Sequence, residues 1–93
     1  MSLRHRGLSV NTSVVSAELD GEAVLLNVES GVYFGLDQVG TRIWQLLGTG
    51  ASEREIVDRL VDEYDVDAQQ LQADLGGFLD LLIAKSLVRA TDG

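Results

Sequence analysis

Residues 19–47 decide the fold of this 93-residue chain, and they read LDGEAVLLNVESGVYFGLDQVGTRIWQLL. Asp20-Gly21 is typical of a type I′ turn between two antiparallel strands. A two-residue loop at that point pairs Val15 with Leu26. The apolar residues on the same face are expected to be buried, and they are Val15, Ala17, Val24, Leu26 and Val28.

The second turn contains Glu29-Ser30-Gly31, and a three-residue loop with glycine last fits a type I turn followed by a left-handed residue. Val32, Phe34 and Leu36 then join the buried face, while Tyr33 and Gly35 point the other way. A two-residue Ser30-Gly31 loop is the alternative, which shifts the register by one and turns Tyr33 inward. We favour the three-residue loop because it buries more aliphatic side chains.

The strand over residues 32–36 has no charge and no proline. Natural sheet edges usually carry a lysine, a proline or an inward-pointing charge, which discourages the docking of another strand. This strand is therefore expected either to be covered by a neighbour or to be open to a partner strand.

Three helices follow the strands. Asp37 is the predicted N-cap of the first, and Ser52 to Glu55 form a capping box at the start of the second. Asp67, with Gln70 three residues later, resembles another capping box, so the third helix is expected over residues 68–85. The fold class is therefore α+β and winged-helix-like, with a three-stranded antiparallel sheet followed by three helices.

The third helix carries an apolar stripe that is wider than one packing face requires, and it includes Leu71, Leu75 and Phe78. Gly76-Gly77 in its middle costs about 1 kcal/mol per glycine relative to alanine. Close approach of another backbone is the expected compensation.

Length and composition indicate one small domain over residues 10–90, preceded by a flexible arm over residues 1–9. The chain has no cysteine, so disulfides are excluded. Its N-terminus lacks the apolar region of a secretory signal, and no apolar run approaches the ~20 residues that span a bilayer. A cytoplasmic location without membrane contact is expected.

The net charge of −8, from 15 acidic and 7 basic side chains, argues against binding to nucleic acid. A duplex-binding protein gains affinity by neutralising phosphates with lysine and arginine. The predicted second and third helices instead expose six carboxylates, three glutamines and only three cations: Glu53, Asp58, Asp62, Glu63, Asp74 and Asp80; Gln69, Gln70 and Gln72; Arg54, Arg59 and Lys85. A winged-helix DNA-binding regulator is nevertheless the strongest competitor on topology.

No catalytic or metal site is predicted. The one histidine, His5, lies in the predicted arm, and no nucleophile has a recognisable base and orienting partner. The residues for a zinc site and the glycine motifs of nucleotide-binding loops are absent from the sequence, so no cofactor is expected either.

Peptide binding fits the sequence better, because an extended peptide can add a strand to an open sheet edge. Four or five hydrogen bonds at about 1 kcal/mol each do not offset the ordering of several residues at about 1–2 kcal/mol apiece. Two or three buried apolar anchors, at about 1.5–3 kcal/mol each, would make up the difference. The wide stripe of the third helix is the predicted second wall of such a groove.

The same residues resemble the PqqD-like family, the recognition elements for ribosomally made and modified precursor peptides. The likeness covers residues 14–88. Its matching features are Asp20-Gly21, Leu25-Leu26, Ser30-Gly31, Tyr33, Leu36, Val39-Gly40, Ile43-Trp44, the capping box before Ile56 and the YDVD segment at residues 64–67.

The resemblance implies that the leader part of a precursor peptide docks as an extra strand on the third strand and lies against the third helix. The implied contact residues are Val32, Tyr33, Phe34, Gly35, Leu71, Asp74, Leu75 and Phe78. Members of this size resemble the stand-alone recognition proteins of lasso-peptide biosynthesis, whose partners are a leader peptidase and an ATP-dependent cyclase. The alternative setting is redox-cofactor biosynthesis, where the partner is a radical SAM enzyme. An open edge also suggests a homodimer in the absence of peptide.

Overall fold

Two small antiparallel sheets and three helices form the fold in a computed structural model, which describes residues 7–91. The elements are β1 (Gly7–Val10), β2 (Val14–Leu19), β3 (Glu22–Asn27), β4 (Val32–Gly35), α1 (Gln38–Gly48), α2 (Glu53–Glu63), α3 (Ala68–Ala84) and β5 (Val88–Thr91). One sheet has the order β2-β3-β4, and β1 pairs with β5 in the other. The predicted α+β class is confirmed. Within residues 7–91, no helix is long and apolar enough to cross a membrane.

The β1–β5 pair differs from the prediction, because residues 7–9 belong to a strand and not to a flexible arm. Val10 pairs with Val88, and Gly7 pairs with Thr91. The strand was missed because its partner lies at the other end of the chain, where no local pattern reveals it. The rest of the predicted arm, residues 1–6 with His5, lies outside the described residues.

The register across Asp20-Gly21 is confirmed, but the predicted buried face is wrong. Val15 does pair with Leu26. The helices nevertheless pack on the opposite face, where Ala23 and Leu25 are fully buried. The residues predicted to be buried, Val15, Ala17, Val24, Leu26 and Val28, instead lie on an outer face that is largely exposed. Leu19 and Tyr33 lie on the same outer face.

Helix α1 covers the face of the sheet that carries Ala23, and a hydrogen bond joins the two elements there. The side chain of Thr41 is buried, and its Oγ1 accepts the backbone N–H of Ala23 at 2.8 Å. The small alanine lets α1 approach the sheet at this point. Since both faces of β3 are rich in apolar residues, the count of hydrophobic side chains could not predict which face α1 would cover.

The loop between β3 and β4 has four residues, so both predicted registers are wrong. Val32 pairs with Asn27 and Phe34 with Leu25. The buried side chain of Asn27 explains the longer loop, because its Oδ1 accepts the N–H groups of Glu29 at 2.9 Å and Ser30 at 3.2 Å. Asparagine commonly closes turns in this way. Phe34 and Leu36 face the helices as predicted, and Tyr33 lies on the outer face. Val32 was predicted to be buried with them, but it is 37% exposed.

All three predicted N-caps are confirmed. Asp37 Oδ1 accepts the N–H of Gly40 at 2.7 Å, and Asp67 Oδ2 accepts that of Gln70 at 3.1 Å. Ser52 and Glu55 form both bonds of the capping box. The amide of Gln70 donates to Asp74, so Asp67 and Gln70 do not complete a second box.

The core lies between the helices and the inner face of the sheet. Its buried residues include Leu25, Leu36, Ile43, Trp44, Ile56, Leu60, Leu75, Leu79, Leu82 and Leu87. Within residues 7–91, the expected close backbone approach at Gly76 and Gly77 is wrong, because an added Cβ would meet nothing within 4 Å at either position.

Candidate peptide-binding edge

The outer edge of β4 is unpaired within residues 7–91, where the strand pairs with β3 alone. Leu36 N–H donates to the carbonyl of Ala23 at 2.8 Å, so the even-numbered residues of the strand direct their backbone groups toward β3. Bonding directions alternate along an antiparallel strand. Tyr33 and Gly35 therefore present their N–H and C=O groups to the open edge.

The side chains of β4 divide between two environments. Phe34 is half-buried and lies on the helix side, opposite Leu25. Tyr33 is 69% exposed on the outer face. Gly35 has space for a side chain, since an added Cβ meets no atom of residues 7–91 within 4 Å. A strand added to this edge would thus have an apolar neighbour on each face.

The C-terminal end of α3 approaches β4 at Phe34, and one stripe of the helix begins there. Phe78 lies against the start of α1, because a Cβ added at Gly40 would be 3.3 Å from the Phe78 ring. Lys85 Nζ lies 6.0 Å from the centroid of the Phe34 ring. Helical spacing places Asp74 and Leu81 on the same side of α3. We call Phe34 and the four residues of this stripe the β4–α3 surface.

The β4–α3 surface is mostly apolar and is accessible. Phe34 and Phe78 are half-buried, and Leu81 is 41% exposed. Asp74 and Lys85 are exposed at its two ends. The surface therefore joins an apolar centre to one carboxylate and one ammonium group.

The structure does not place all the predicted contact residues on this surface. Val32, Tyr33, Phe34 and Gly35 line the open edge, and Asp74 and Phe78 lie on the facing helix. Leu71 and Leu75 are core residues, 9% and 2% exposed, so they support the helix from behind. Sequence reasoning missed Leu81 and Lys85, which continue the spacing of Asp74 and Phe78 by one and two further turns.

The ion pair between Arg42 and Glu63 lies away from the β4–α3 surface. Arg42 on α1 donates to both carboxylate oxygens of Glu63 on α2, at 2.8 and 2.7 Å. The hydrogen bond from Arg42 lowers the pKa of Glu63, and the bond to Glu63 raises the pKa of Arg42. The pair ties α1 to α2 and leaves the β4–α3 surface untouched.

A separate concavity of about 540 Å³ lies between α2 and α3, across α3 from β4. Val57, Val61 and Leu75 give it apolar walls, and Arg54, Asp58 and Gln72 add polar groups. It offers no strand edge. Among residues 7–91, no group of three or more His, Cys, Asp or Glu side chains is placed to hold a metal ion.

The sequence of residues 22–88 matches a family described as coenzyme PQQ synthesis protein D, PqqD. This match spans more than half of the chain. The chain belongs to the PqqD family. The comparison with curated proteins gives no match.

Two solved structures resemble this PqqD-family chain along most of its length. TbiB1, solved in complex with the TbiA(beta) leader peptide, is 45% identical with a TM-score of 0.86, and the match covers 91% of this chain and 99% of TbiB1. A lasso peptide synthetase B1, complexed with the leader peptide, is 24% identical with a TM-score of 0.81, covering 89% of this chain and 98% of that chain. The second likeness shows the shared fold alone.

Proposed function

We propose that this chain binds the leader region of a ribosomally synthesised precursor peptide in lasso-peptide biosynthesis. The observation that carries the proposal is the edge of β4, which is unpaired within residues 7–91 and lies beside an accessible apolar helix stripe. It is supported by the 45% identity to TbiB1, which was solved with a leader peptide. The peptide adds as a strand to β4 and packs its alternate side chains on Phe34 and Phe78.

The role of the chain is delivery. It holds the leader and presents the rest of the precursor to a leader peptidase and an ATP-dependent cyclase, which raises the effective concentration of the reacting segment. The chain contributes no chemistry of its own. This part of the proposal rests on the family resemblance and on the absence of a recognisable catalytic set in the sequence.

Binding by strand addition is tested with the TbiA(beta) leader peptide as the probe. Titration into the isotopically labelled protein should shift the amide signals of residues 32–36 and of α3 to saturation. A scrambled peptide of the same composition serves as the control. Saturable binding with shifts confined to other elements would overturn the proposed site.

A pair of proline variants separates edge pairing from a general loss of structure. Gly35→Pro removes an outward N–H of β4 without breaking a bond to β3, and an edge position tolerates proline. We expect it to abolish binding. Ser16→Pro makes the matched change on β2, where Val28 N–H donates to Ser13 O and the alternation points Ser16 N–H outward. It should leave binding intact.

A role beside a radical SAM enzyme in redox-cofactor biosynthesis is the second candidate, because the family match carries the PQQ synthesis description. The two candidates differ in the peptide that is bound. Competition between the TbiA(beta) leader and a PQQ precursor peptide decides between them, since only the true class of ligand should bind tightly.

A further inference from the structure

Lys85 is the only lysine in the chain, and it occupies the end of α3 nearest to β4. Its ammonium group lies over the ring of Phe34, with 6.0 Å between Nζ and the ring centroid. Within residues 7–91 the ion pair described is Arg42 with Glu63, and no carboxylate is paired with Lys85. The Lys85 ammonium group therefore lies on the β4–α3 surface without a counter-ion from the described part of the chain.

Lys85 and Asp74 give the β4–α3 surface opposite charges at its two ends. Asp74 lies eleven residues earlier on the same stripe, which is about 16 Å along a helix. About five residues of extended peptide cover that length. A strand lying on β4 would run from a cationic end, past Phe78 and Leu81, to an anionic end.

We propose that Lys85 selects an aspartate or glutamate of the bound leader, beside the apolar anchor that packs on Phe34. The inference rests on the proposed leader binding. Successive side chains of a strand point to opposite faces, so only every second residue of the leader can reach Lys85. The selected class of ligand is thus a leader with an acidic residue in register with its apolar anchors.

The test is a positional scan of the TbiA(beta) leader peptide, in which each residue in turn is replaced by glutamate and by lysine. At one position of the peptide, or at two positions an even number of residues apart, the glutamate variant should bind the natural protein about 5- to 10-fold tighter than the lysine variant. Lys85→Gln should reduce this preference below about twofold, and Lys85→Glu should reverse it. Raising the salt concentration should weaken the preference as well.

Arg59→Gln provides the matched control, because it removes the same charge from the exposed side of α2. It should keep the preference found on the natural chain. If the peptides bind but show no charge preference, or if Lys85→Gln keeps it, the role of Lys85 is wrong and leader binding stands. An equal loss in Arg59→Gln would show a general charge effect and would also overturn the role. If no peptide of the scan binds, the proposed function itself fails.

Discussion

Tyr33 and Phe34 are neighbours in sequence, but they face opposite sides of the sheet. Phe34 lies on the β4–α3 surface, whereas Tyr33 projects from the outer face and is 69% exposed. Phe34→Ala should weaken leader binding about 10-fold, because an apolar anchor would lose its partner. Tyr33→Ala should change it less than about threefold, since its edge contribution comes from the backbone. Isothermal titration with the TbiA(beta) leader measures both.

The two alanine variants need a control for folding. Phe34 packs against the core, so its loss also lowers the stability of the domain, and thermal unfolding must show that both variants are folded at the titration temperature. A larger effect from Tyr33→Ala than from Phe34→Ala would place the peptide on the outer face, and the proposed site would have to move.

The structural role of Asn27 could not be predicted from the sequence. Asn27 lies on the face of β3 opposite the one predicted to be buried, yet it is 2% exposed. Its Oδ1 holds the loop before β4, and its Nδ2 donates to the carbonyl of Ser86 at 3.1 Å. Asn11 Nδ2 donates to the same carbonyl at 2.8 Å. These contacts join the two sheets, and no local pattern contains both ends of them.

The Arg42–Glu63 pair connects two elements, and its strength should depend on pH. Because the pKa of Glu63 is lowered in the folded protein, its stabilising effect is complete above the ordinary pKa of about 4.3 and is lost as the pH falls through the lowered value. Glu63→Gln should therefore lower the melting temperature at pH 7, and the difference should disappear under acidic conditions.

The neighbouring variant Asp62→Asn is the control for this pH dependence. It removes one carboxylate from the same helix without touching Arg42, so its effect on the melting temperature should be small. A difference between Glu63→Gln and the natural protein that persists at low pH would show that packing, and not charge, is responsible.

Helix α3 contains a glycine pair without a steric role within the described structure. An added Cβ meets nothing within 4 Å at Gly76 or Gly77. Gly76→Ala should raise the free energy of unfolding by about 0.5–1 kcal/mol, because alanine restricts the unfolded chain and favours the helix. Urea denaturation measures the change. No gain in stability would mean that the backbone at Gly76 adopts a conformation that alanine resists.

The elements differ in how well their sequence predicts them. The predicted helix starts were correct because a capping interaction, such as that of Ser52 with Glu55, involves residues only a few positions apart in the sequence. The predicted buried face of β3 was wrong because the strand has apolar residues on both faces. The face that is buried is the one that α1 covers, where Thr41 contacts Ala23. Lys85 was missed for a similar reason, since its place opposite Phe34 depends on how α3 packs.

At the scale of the whole molecule, an apolar outer face coexists with a net charge of −8. Repulsion between copies should keep the protein monomeric at pH 7, and this repulsion vanishes near the pI of about 4.3. Sedimentation velocity should then show association at about pH 4.5 that depends on protein concentration.

Matched variants identify the contact in this association. Val24→Lys places a charge on the outer face and should suppress association, while Gln69→Lys adds the same charge to α3 and should not. Suppression by Gly35→Pro would instead identify pairing of two β4 edges, the homodimer expected from an open strand.

The pairing of β1 with β5 has a consequence for how this domain can be built into larger proteins. Gly7 and Thr91 are partners in the register, so the two ends of the described part of the chain lie side by side. A domain with adjacent ends can be inserted into a surface loop of a host enzyme with short connections on both sides. The same closure would allow residues 7 and 91 to be joined by a short linker and new ends to be opened at the turn between α1 and α2, which interrupts neither β4 nor α3.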